Sequence, residues 1–429
     1  MEGNSADLNS AGLNSIELNN SELRNRALQK PWADPASYWG GFTAATADEP
    51  APVVAMSLEA LSYNATDLTR RAGGIPVRVA SKSIRVREVL EAVLRLPSFQ
   101  GVLAYTLAEA LWLASSIDDV VVAYPSVDRR AIAELAQDEK KSSRVTVMLD
   151  SPAQLDLIDA VANPSSRNEI RVCLDFDASW WAPVIGNVGV FRSPIHEPGD
   201  LRALAEEVIR RPGFKLVGVM SYEAQIAGVG NAPVGKPLVG RAMRELQKRS
   251  AEELSKRRAE ALSLVTEIQE LEFINGGGTG SLEQTASEGI VTEVAAGSGL
   301  FGPHLFDNYA HFQPAPAVAF ALDVVRKARP DNATVLGGGW IASGAPGADR
   351  LPQPVWPEGL KYSSREGAGE VQTPLLGQSA ADLKVGERVW FRHTKSGEVM
   401  EHTREVLVLN DNEIVARAKT YRGEGMAFL

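Results

Sequence analysis

The sequence predicts an α/β protein in which an N-terminal (β/α)8 barrel of the TIM type precedes a C-terminal, mainly β domain. Two observations carry this. Between residues 77 and 295, eight short strand-like runs alternate with stretches of helical period. After about Pro314 the pattern changes: helical period fades beyond Lys327, glycine and proline become frequent, and strand-like runs follow one another. A length of 429 residues suits two domains. The expected division is a low-complexity tail and lead-in over 1–45, a barrel over 46–314 and a β domain over 315–429. An open doubly wound sheet is the alternative for the barrel.

In the first thirty residues Leu8, Leu13, Leu18 and Leu23 recur every five positions, which is neither a helix nor a strand period. A solvated tail or a frayed helix is expected there. A leading strand, Ala51 to Met56, and a helix, Leu58 to Arg71, come next. The eight barrel strands are expected at Val77–Ile84, Gly101–Tyr105, Val120–Tyr124, Arg144–Leu149, Ile170–Asp175, Lys215–Met220, Glu272–Asn275 and Ile290–Ala295. Arg85–Leu96, Val127–Lys140 and Asp200–Arg211 read as amphipathic helices between them. The charged run Pro237–Leu271 has alternating signs and reads as one long helix with a solvated face. In the second domain, strands are expected near Thr334–Leu336, Gly386–Arg392, Glu405–Leu409 and Glu413–Ala418. Asp411-Asn412 is a hairpin turn between the last two.

Composition narrows the function. Net charge is -10, which argues against nucleic acid or an anionic membrane as partner. The single cysteine, Cys173, excludes an internal disulfide, and its apolar strand-like run predicts a buried, inert thiol. No run is long and apolar enough to span a bilayer, and no basic-then-apolar leader is visible. A cytoplasmic location is the default expectation.

The residue with most chemical promise is Lys82, in Pro76-Val-Arg-Val-Ala-Ser-Lys82-Ser-Ile-Arg-Val86. Read as a strand, this segment puts Arg78, Ala80, Lys82 and Ile84 on one face. A desolvated lysine at a barrel strand end can lose its proton and attack a carbonyl. Two glycine loops follow the last two barrel strands: Asn275-Gly-Gly-Gly278-Thr279-Gly-Ser281 and Ala296-Gly297-Ser298-Gly299. Such loops let consecutive N–H groups approach one anion, and barrels commonly build a phosphate site after strands 7 and 8. Neither loop has the Walker or dinucleotide spacing. Gly278, Thr279, Gly297 and Ser298 are the candidate phosphate ligands. A lysine on the first strand and a phosphate cup on the last two suit pyridoxal 5′-phosphate, whose aldehyde and phosphate lie on opposite sides of one ring.

Several motifs also carry a family resemblance. Leu58-Glu-Ala-Leu-Ser-Tyr-Asn64, Arg78 four residues before Lys82, Gly218-Val-Met-Ser-Tyr222 and the two glycine loops occur in the order seen in fold-type III pyridoxal-phosphate enzymes. The chain resembles that group, which includes alanine racemase, D-threonine aldolase and D-serine dehydratase. It is most similar to the aldolase and dehydratase branch, often labelled amino acid deaminase/aldolase, over about Pro52 to Arg404. The resemblance implies that Lys82 is the Schiff-base lysine and that Arg78 belongs to the cofactor motif. It places Arg192 near the cofactor phenolate and Tyr222 beside the cofactor ring. Asp175 is then a candidate to orient Arg192. One departure is Gly299, where the family commonly has a tyrosine; Tyr309 is the nearest substitute.

In the metal-dependent members a histidine is followed two residues on by Asp or Cys. This chain has His393 but Lys395. A protonated lysine repels a metal ion, so no metal site of that pattern is expected, unless rebuilt with Glu398 or His402. His393 is instead a candidate acid or base at the substrate β-oxygen. The expected activity is aldol cleavage or dehydration and deamination of a β-hydroxy amino acid. The resemblance implies D configuration and a homodimer. The alternatives are an amino acid racemase and a non-catalytic phosphate-binding barrel. Trp180-Trp181 and Gly337-Gly-Gly339 are expected to be a packing pair and a tight β corner.

Overall fold

The computed structural model describes residues 16–429 except Pro183 and Ser396. Leu8 and Leu13 of the leucine spacing lie outside the described residues. The chain opens with helices Ser21–Leu28 and Pro35–Ala45, then strand β1 (Val53–Ser57). The barrel strands follow as β2 (Val77–Ala80), β3 (Phe99–Ala104), β4 (Val120–Val122), β5 (Val145–Leu149) and β6 (Ile170–Asp175). A hairpin of β7 (Trp180–Ala182) and β8 (Gly186–Val188) interrupts them before β9 (Phe214–Ser221), β10 (Phe273–Gly276) and β11 (Glu293–Ala296). The eight barrel strands pair in parallel, and β11 closes onto β2 with Ala295 opposite Arg78.

The barrel is closed, so the open-sheet alternative is excluded. Its interior is filled by Val121, Met148, Cys173, Val217, Met220 and Phe273, so this end is solid core. Cys173 is buried, and burial pushes its thiol well above the ordinary range.

Strands β12 (Val318–Arg326), β13 (Asn332–Leu336), β14 (Gln353–Trp356) and β15 (Lys361–Tyr362) begin the second domain. It continues with β16 (Gln372–Leu376), β17 (Arg388–Arg392), β18 (Glu405–Asn410) and β19 (Glu413–Lys419). Asp411 and Asn412 have φ of 51° and 62°, the left-handed pair that a two-residue hairpin turn requires. The leading strand does not belong to the barrel. β1 inserts into this second sheet, antiparallel to β12 and parallel to β18. Alternation explains why. Val54 and Met56 face the large core while Val53 and Ala55 face a second cluster, so β1 is buried on both sides.

That second cluster is made by helix Pro35–Ala45. Trp39 stacks on Trp390 of β17 at 6.1 Å between centroids, and Phe42 meets the same ring edge-on at 5.2 Å. Leu18 and Leu23 are also buried. The lead-in is therefore packed against the fold from Ile16 onward: of the two expectations, a solvated tail or a frayed helix, the helix is found over Ser21–Leu28, with Leu23 buried. We propose that the β domain is assembled from both chain ends, residues 16–57 together with 315–429.

Two helices decide how the barrel mouth is held. In helix Leu58–Arg71, Ser57 caps the N-terminus and Leu58, Leu61, Ala65 and Leu68 form the buried stripe. Asn64 on the same helix is buried and bonds three backbone groups. Its Nδ2 donates to the carbonyls of Leu300 and Ala315 at 2.9 Å, and its Oδ1 accepts from Ala315 N at 2.7 Å. Helix Pro237–Thr266 is continuous over 30 residues, as its charge pattern predicts, yet Arg257 and Arg258 point inward and are buried.

Asn64 thus ties the end of the barrel to the start of the β domain. Asn64→Ala should lower unfolding free energy by about 2–4 kcal/mol, because buried backbone groups lose partners. Denaturant unfolding of the two proteins under identical conditions measures the difference.

Candidate active site

The carboxyl ends of the barrel strands open into a cavity of about 430 Å³. β2 ends at Ala80, four residues earlier than the Val77–Ile84 run in its sequence suggests. Ser81–Ser83 form a single 3-10 turn with Lys82 at its centre. The turn, not the strand alternation, aims Lys82 at the cavity. Its Nζ lies 3.4 Å from the Tyr124 hydroxyl, at the end of β4.

The turn is braced from beneath and from above. Arg85 Nε donates to the Lys82 carbonyl at 3.1 Å, and Arg85 Nη1 pairs with Glu401 at 2.7 Å. On the other side Gly397, at φ 84°, lies directly against the Lys82 carbonyl, where any Cβ would collide with it. The β domain therefore touches the backbone of Lys82 itself.

The two glycine loops meet beside this turn. Thr279 Oγ1 lies 3.2 Å from Ser298 Oγ and accepts from Gly299 N at 3.1 Å. A Cβ on Gly297 would stand 2.5 Å from Ala80 O and 2.9 Å from Ser83 Cβ. A Cβ on Gly278 would stand 2.8 Å from Ala227 Cβ and 2.9 Å from Tyr222 Cε2. Both glycines are thus required by close approach. Gly278, Thr279, Gly297 and Ser298 all line the cavity.

Buried charge holds the first loop. The Glu223 carboxylate accepts from Ser281 Oγ at 2.8 Å, from Gly277 N at 3.3 Å and from Thr285 Oγ1. Arg258 Nη2 neutralises it at 2.9 Å, and Nη1 of the same guanidinium pairs with Glu288. Arg71 Nη2 donates to the Thr279 carbonyl at 2.6 Å. These inward charges on the long helix are what its sequence pattern concealed.

Arg192 lies on the loop after β8, 5.8 Å from the Tyr124 ring centre and 5.7 Å from that of Tyr222. Burial is the main cause raising the Tyr222 hydroxyl to about 12, with Arg192 opposing it. Asp175 faces the same space and is raised to about 7, by burial first and then by Asp150, against the pull of Arg192. Tyr309 reaches the cavity wall and donates to Ala227 O at 2.9 Å.

Two expected site residues are placed elsewhere. Arg78 points down the barrel interior instead of lining the cavity. Its guanidinium bonds Glu293 at 2.6 Å and Asp119 at 2.8 Å, because a buried cation is drawn to the carboxylates at the closed end. Gly101, at φ 62°, leaves the space that this pair fills. Glu293 in turn accepts from Asn275, which does line the cavity, so Arg78 acts two residues removed from it.

His393 is buried outside the cavity lining. Its Nδ1 is 3.2 Å from Val318 O, and its Nε2 has no partner among the described residues. Burial, reinforced by Arg392 and His304, lowers it to about 3, so it is neutral and away from the candidate reacting space. Lys395, two residues on, is the side chain that enters the cavity. Among the described residues no group of three or more His, Cys, Asp or Glu side chains converges. Glu398 accepts from Ser343 N at 3.0 Å and His402 stacks on Trp340 at 4.7 Å.

Trp181 stacks on His196 at 4.1 Å, on the outside of the mouth, and Gly337 and Gly338 turn the chain after β13 at φ 93° and 112°. Tyr124 and Arg350 also line the cavity. Sequence reasoning had not singled them out. Tyr124 could have been found from its position at a barrel strand end; Arg350 lies in an irregular loop that gives no periodic signal.

The donor set fits pyridoxal 5′-phosphate. A primary amine stands beside a glycine-and-hydroxyl cup, and two tyrosine rings and a fixed cation flank the space between. Barrel, cup and lysine together define a fold-type III pyridoxal-phosphate enzyme fold, capped by a β domain. The family model described as alanine racemase, N-terminal domain, matches residues 56–304, and the chain belongs to that family. Its cofactor is pyridoxal 5′-phosphate.

Solved structures agree on the fold. The D-threonine aldolase of Filomicrobium marinum superposes with a TM-score of 0.74 at 18% identity, covering 89% of this chain and 97% of that one. The D-threo-3-hydroxyaspartate dehydratase of Delftia sp. HT23 gives 0.66 at 18% identity, covering 86% and 97%. Alanine racemase of Clostridium difficile 630 gives 0.57 at 14% identity, covering 87% and 99%. No curated protein matches the chain.

The buried His393 makes stability pH-dependent in a defined sense. The unfolded chain takes up a proton near its ordinary value of 6.5, while the folded one resists until about 3. Stability from this residue is therefore full above about pH 6.5 and is lost as pH falls toward 3. Asp175 and Glu109, both raised to about 7, act oppositely and lose their contribution as pH rises through that value. His393→Leu should flatten the loss on the acid side, read as urea midpoints at a series of pH values for both proteins.

Proposed function

We propose that the chain is a lyase acting on a β-hydroxy amino acid of D configuration, by aldol cleavage or by dehydration and deamination. The observation that carries this is Lys82, held on a rigid turn beside a cup built for phosphate. Pyridoxal 5′-phosphate, when bound, supplies a carbonyl for the substrate amine and a ring that withdraws electrons from Cα.

The chain's own residues do the rest. Lys82 Nζ is the amine assigned to that carbonyl and, once displaced, the base nearest Cα. The backbone and hydroxyl donors of Gly278, Thr279, Gly297 and Ser298 bind the phosphate. Arg192 supplies a fixed positive charge between two tyrosine rings, and Tyr222 walls the ring site. Asp175, balanced near neutrality, can exchange a proton within the cavity. Two structural neighbours are named as an aldolase and a dehydratase of D-configured substrates, which supports this reaction class and this configuration.

A racemase is the second reading. It needs a base on each face of Cα, and Lys395 provides a second amine in the cavity wall. We also propose a homodimer, supported by Val184, Ile185 and Phe191, which are 95%, 64% and 91% exposed near the mouth.

Product analysis separates the readings. With D-threonine and D-serine the proposal expects glycine plus an aldehyde, or an oxo acid plus ammonia. Lys82→Ala should abolish both, a loss of at least about a thousandfold. Formation of the mirror-image amino acid alone would establish the racemase instead.

A further inference from the structure

After β19 the chain leaves the sheet and packs back onto the barrel over residues 420–428. Tyr421 in this segment is buried. Its ring meets Trp112 of helix Leu107–Leu113 edge-on at 4.9 Å between centroids. Phe428 lies against both rings, at 5.6 and 5.7 Å. Glu424 pairs with Arg87 at 2.6 Å. Aromatic packing and one ion pair would suffice to dock the segment. Two polar contacts of Tyr421 do more, because they reach the groups on either side of the Lys82 turn.

The first contact is on the far side of the turn. The Tyr421 N–H donates to the Arg85 carbonyl at 3.0 Å. Arg85 has φ 52°, a left-handed conformation that is unfavourable for a long side chain, so its backbone needs outside support. Its Nε is the group that donates to the Lys82 carbonyl. Glu401 bonds both Arg85 and Arg422, which ties the same segment to Arg85 a second time. The second contact is on the near side. The Tyr421 hydroxyl donates to Glu109 Oε1 at 2.8 Å. Glu109 is fully buried, and its Oε2 accepts from Tyr105 N at 2.7 Å. Burial raises its carboxyl to about 7, and bonds from Ser81, Tyr105 N and Tyr421 pull against burial. Ser81 is itself fully buried, and its carbonyl accepts from Ile84 N at 2.8 Å and Arg85 N at 3.0 Å, the bonds that make the turn.

Resting on the assignment of Lys82 as the cofactor amine, we propose that Tyr421 and Glu109 are positioning residues for Lys82, and that the segment after β19 is a clasp on its turn. Neither residue touches the reacting atoms. The Tyr421–Glu109 bond holds Ser81, the Tyr421 N–H holds Arg85, and the Lys82 backbone between them is left one arrangement. A lysine side chain has several free torsions, so placing its amine at a fixed carbonyl loses entropy. A rigid base keeps that loss to the side chain alone, which favours attachment. Tyr105 extends the same bracing to the cavity, which it lines, and Arg85 lies 5.1 Å from the centre of its ring.

Three variants test this. Tyr421→Phe removes the hydroxyl and keeps the ring, so it separates the bond from the packing. Glu109→Ala removes both acceptors, while Glu109→Gln keeps an acceptor for Tyr105 N and a partner for the Tyr421 hydroxyl. Pyridoxal 5′-phosphate is titrated into each cofactor-free protein and followed by visible absorbance. Tyr421→Phe and Glu109→Ala should bind it about tenfold or more weakly, and Glu109→Gln within about threefold of wild type. Visible circular dichroism per bound cofactor, which reports how the ring is held, should fall in the first two and persist in the third. In the cofactor-free proteins, hydrogen exchange at the Ile84 and Arg85 amides should quicken about tenfold in the first two, with β18 and β19 unchanged. Affinity and dichroism unchanged in Tyr421→Phe and Glu109→Ala overturn the proposal. Exchange that quickens equally in β18 and β19 also overturns it, because the role is then only structural. A wild type that takes up no cofactor sinks the assignment of Lys82, and local exchange in the variants then leaves the clasp standing. A loaded wild type with unaffected variants sinks the clasp alone.

Discussion

The closure of β11 onto β2 is the constraint on which the site depends. It brings the last glycine loop against the turn that follows the first barrel strand. Gly297 has space only for a hydrogen there, with Ala80 O 2.5 Å from where a Cβ would stand. A phosphate cup and a lysine from opposite ends of the barrel sequence thereby become neighbours. Neither could be moved without opening the barrel, because parallel pairing fixes the register of Val77, Arg78 and Val79 against Val294, Ala295 and Ala296.

The second dependence is on the β domain, which completes the site instead of merely following it. Gly397 rests on the Lys82 carbonyl, Glu401 anchors Arg85, and Lys395 and Arg350 form a wall of the cavity. The sheet that carries these groups is threaded by β1, from before the barrel. A chain whose two ends build one sheet couples barrel closure to docking of the cap. Asn64 reinforces that coupling by bonding the backbone on both sides of the junction.

Much of this was legible in the sequence because it rests on local period and local chemistry. The eight barrel strands, the long helix and the Asp411-Asn412 turn all follow from such signals. The glycine loops and Lys82 were legible because their residue types are unusual at strand ends. What was hidden depended on distant partners. Nothing local says that Val53–Ser57 pairs with residues more than two hundred positions away. Arg78 shares a strand face with Lys82 on paper, but the 3-10 turn after Ala80 redirects the lysine while Glu293 and Asp119 draw the arginine downward. His393 matched a family position, yet its ring turns toward Val318 and its neighbour Lys395 takes the place at the cavity.

The central claim is that Lys82 carries the cofactor. Borohydride reduction of the yellow, cofactor-loaded protein, followed by proteolysis and mass spectrometry, tests it most directly. The account predicts that the cofactor's added mass is fixed on the peptide containing Lys82 and that the visible absorbance disappears. Label recovered on Lys395 or spread over surface lysines, with the Lys82 peptide unmodified, would contradict it.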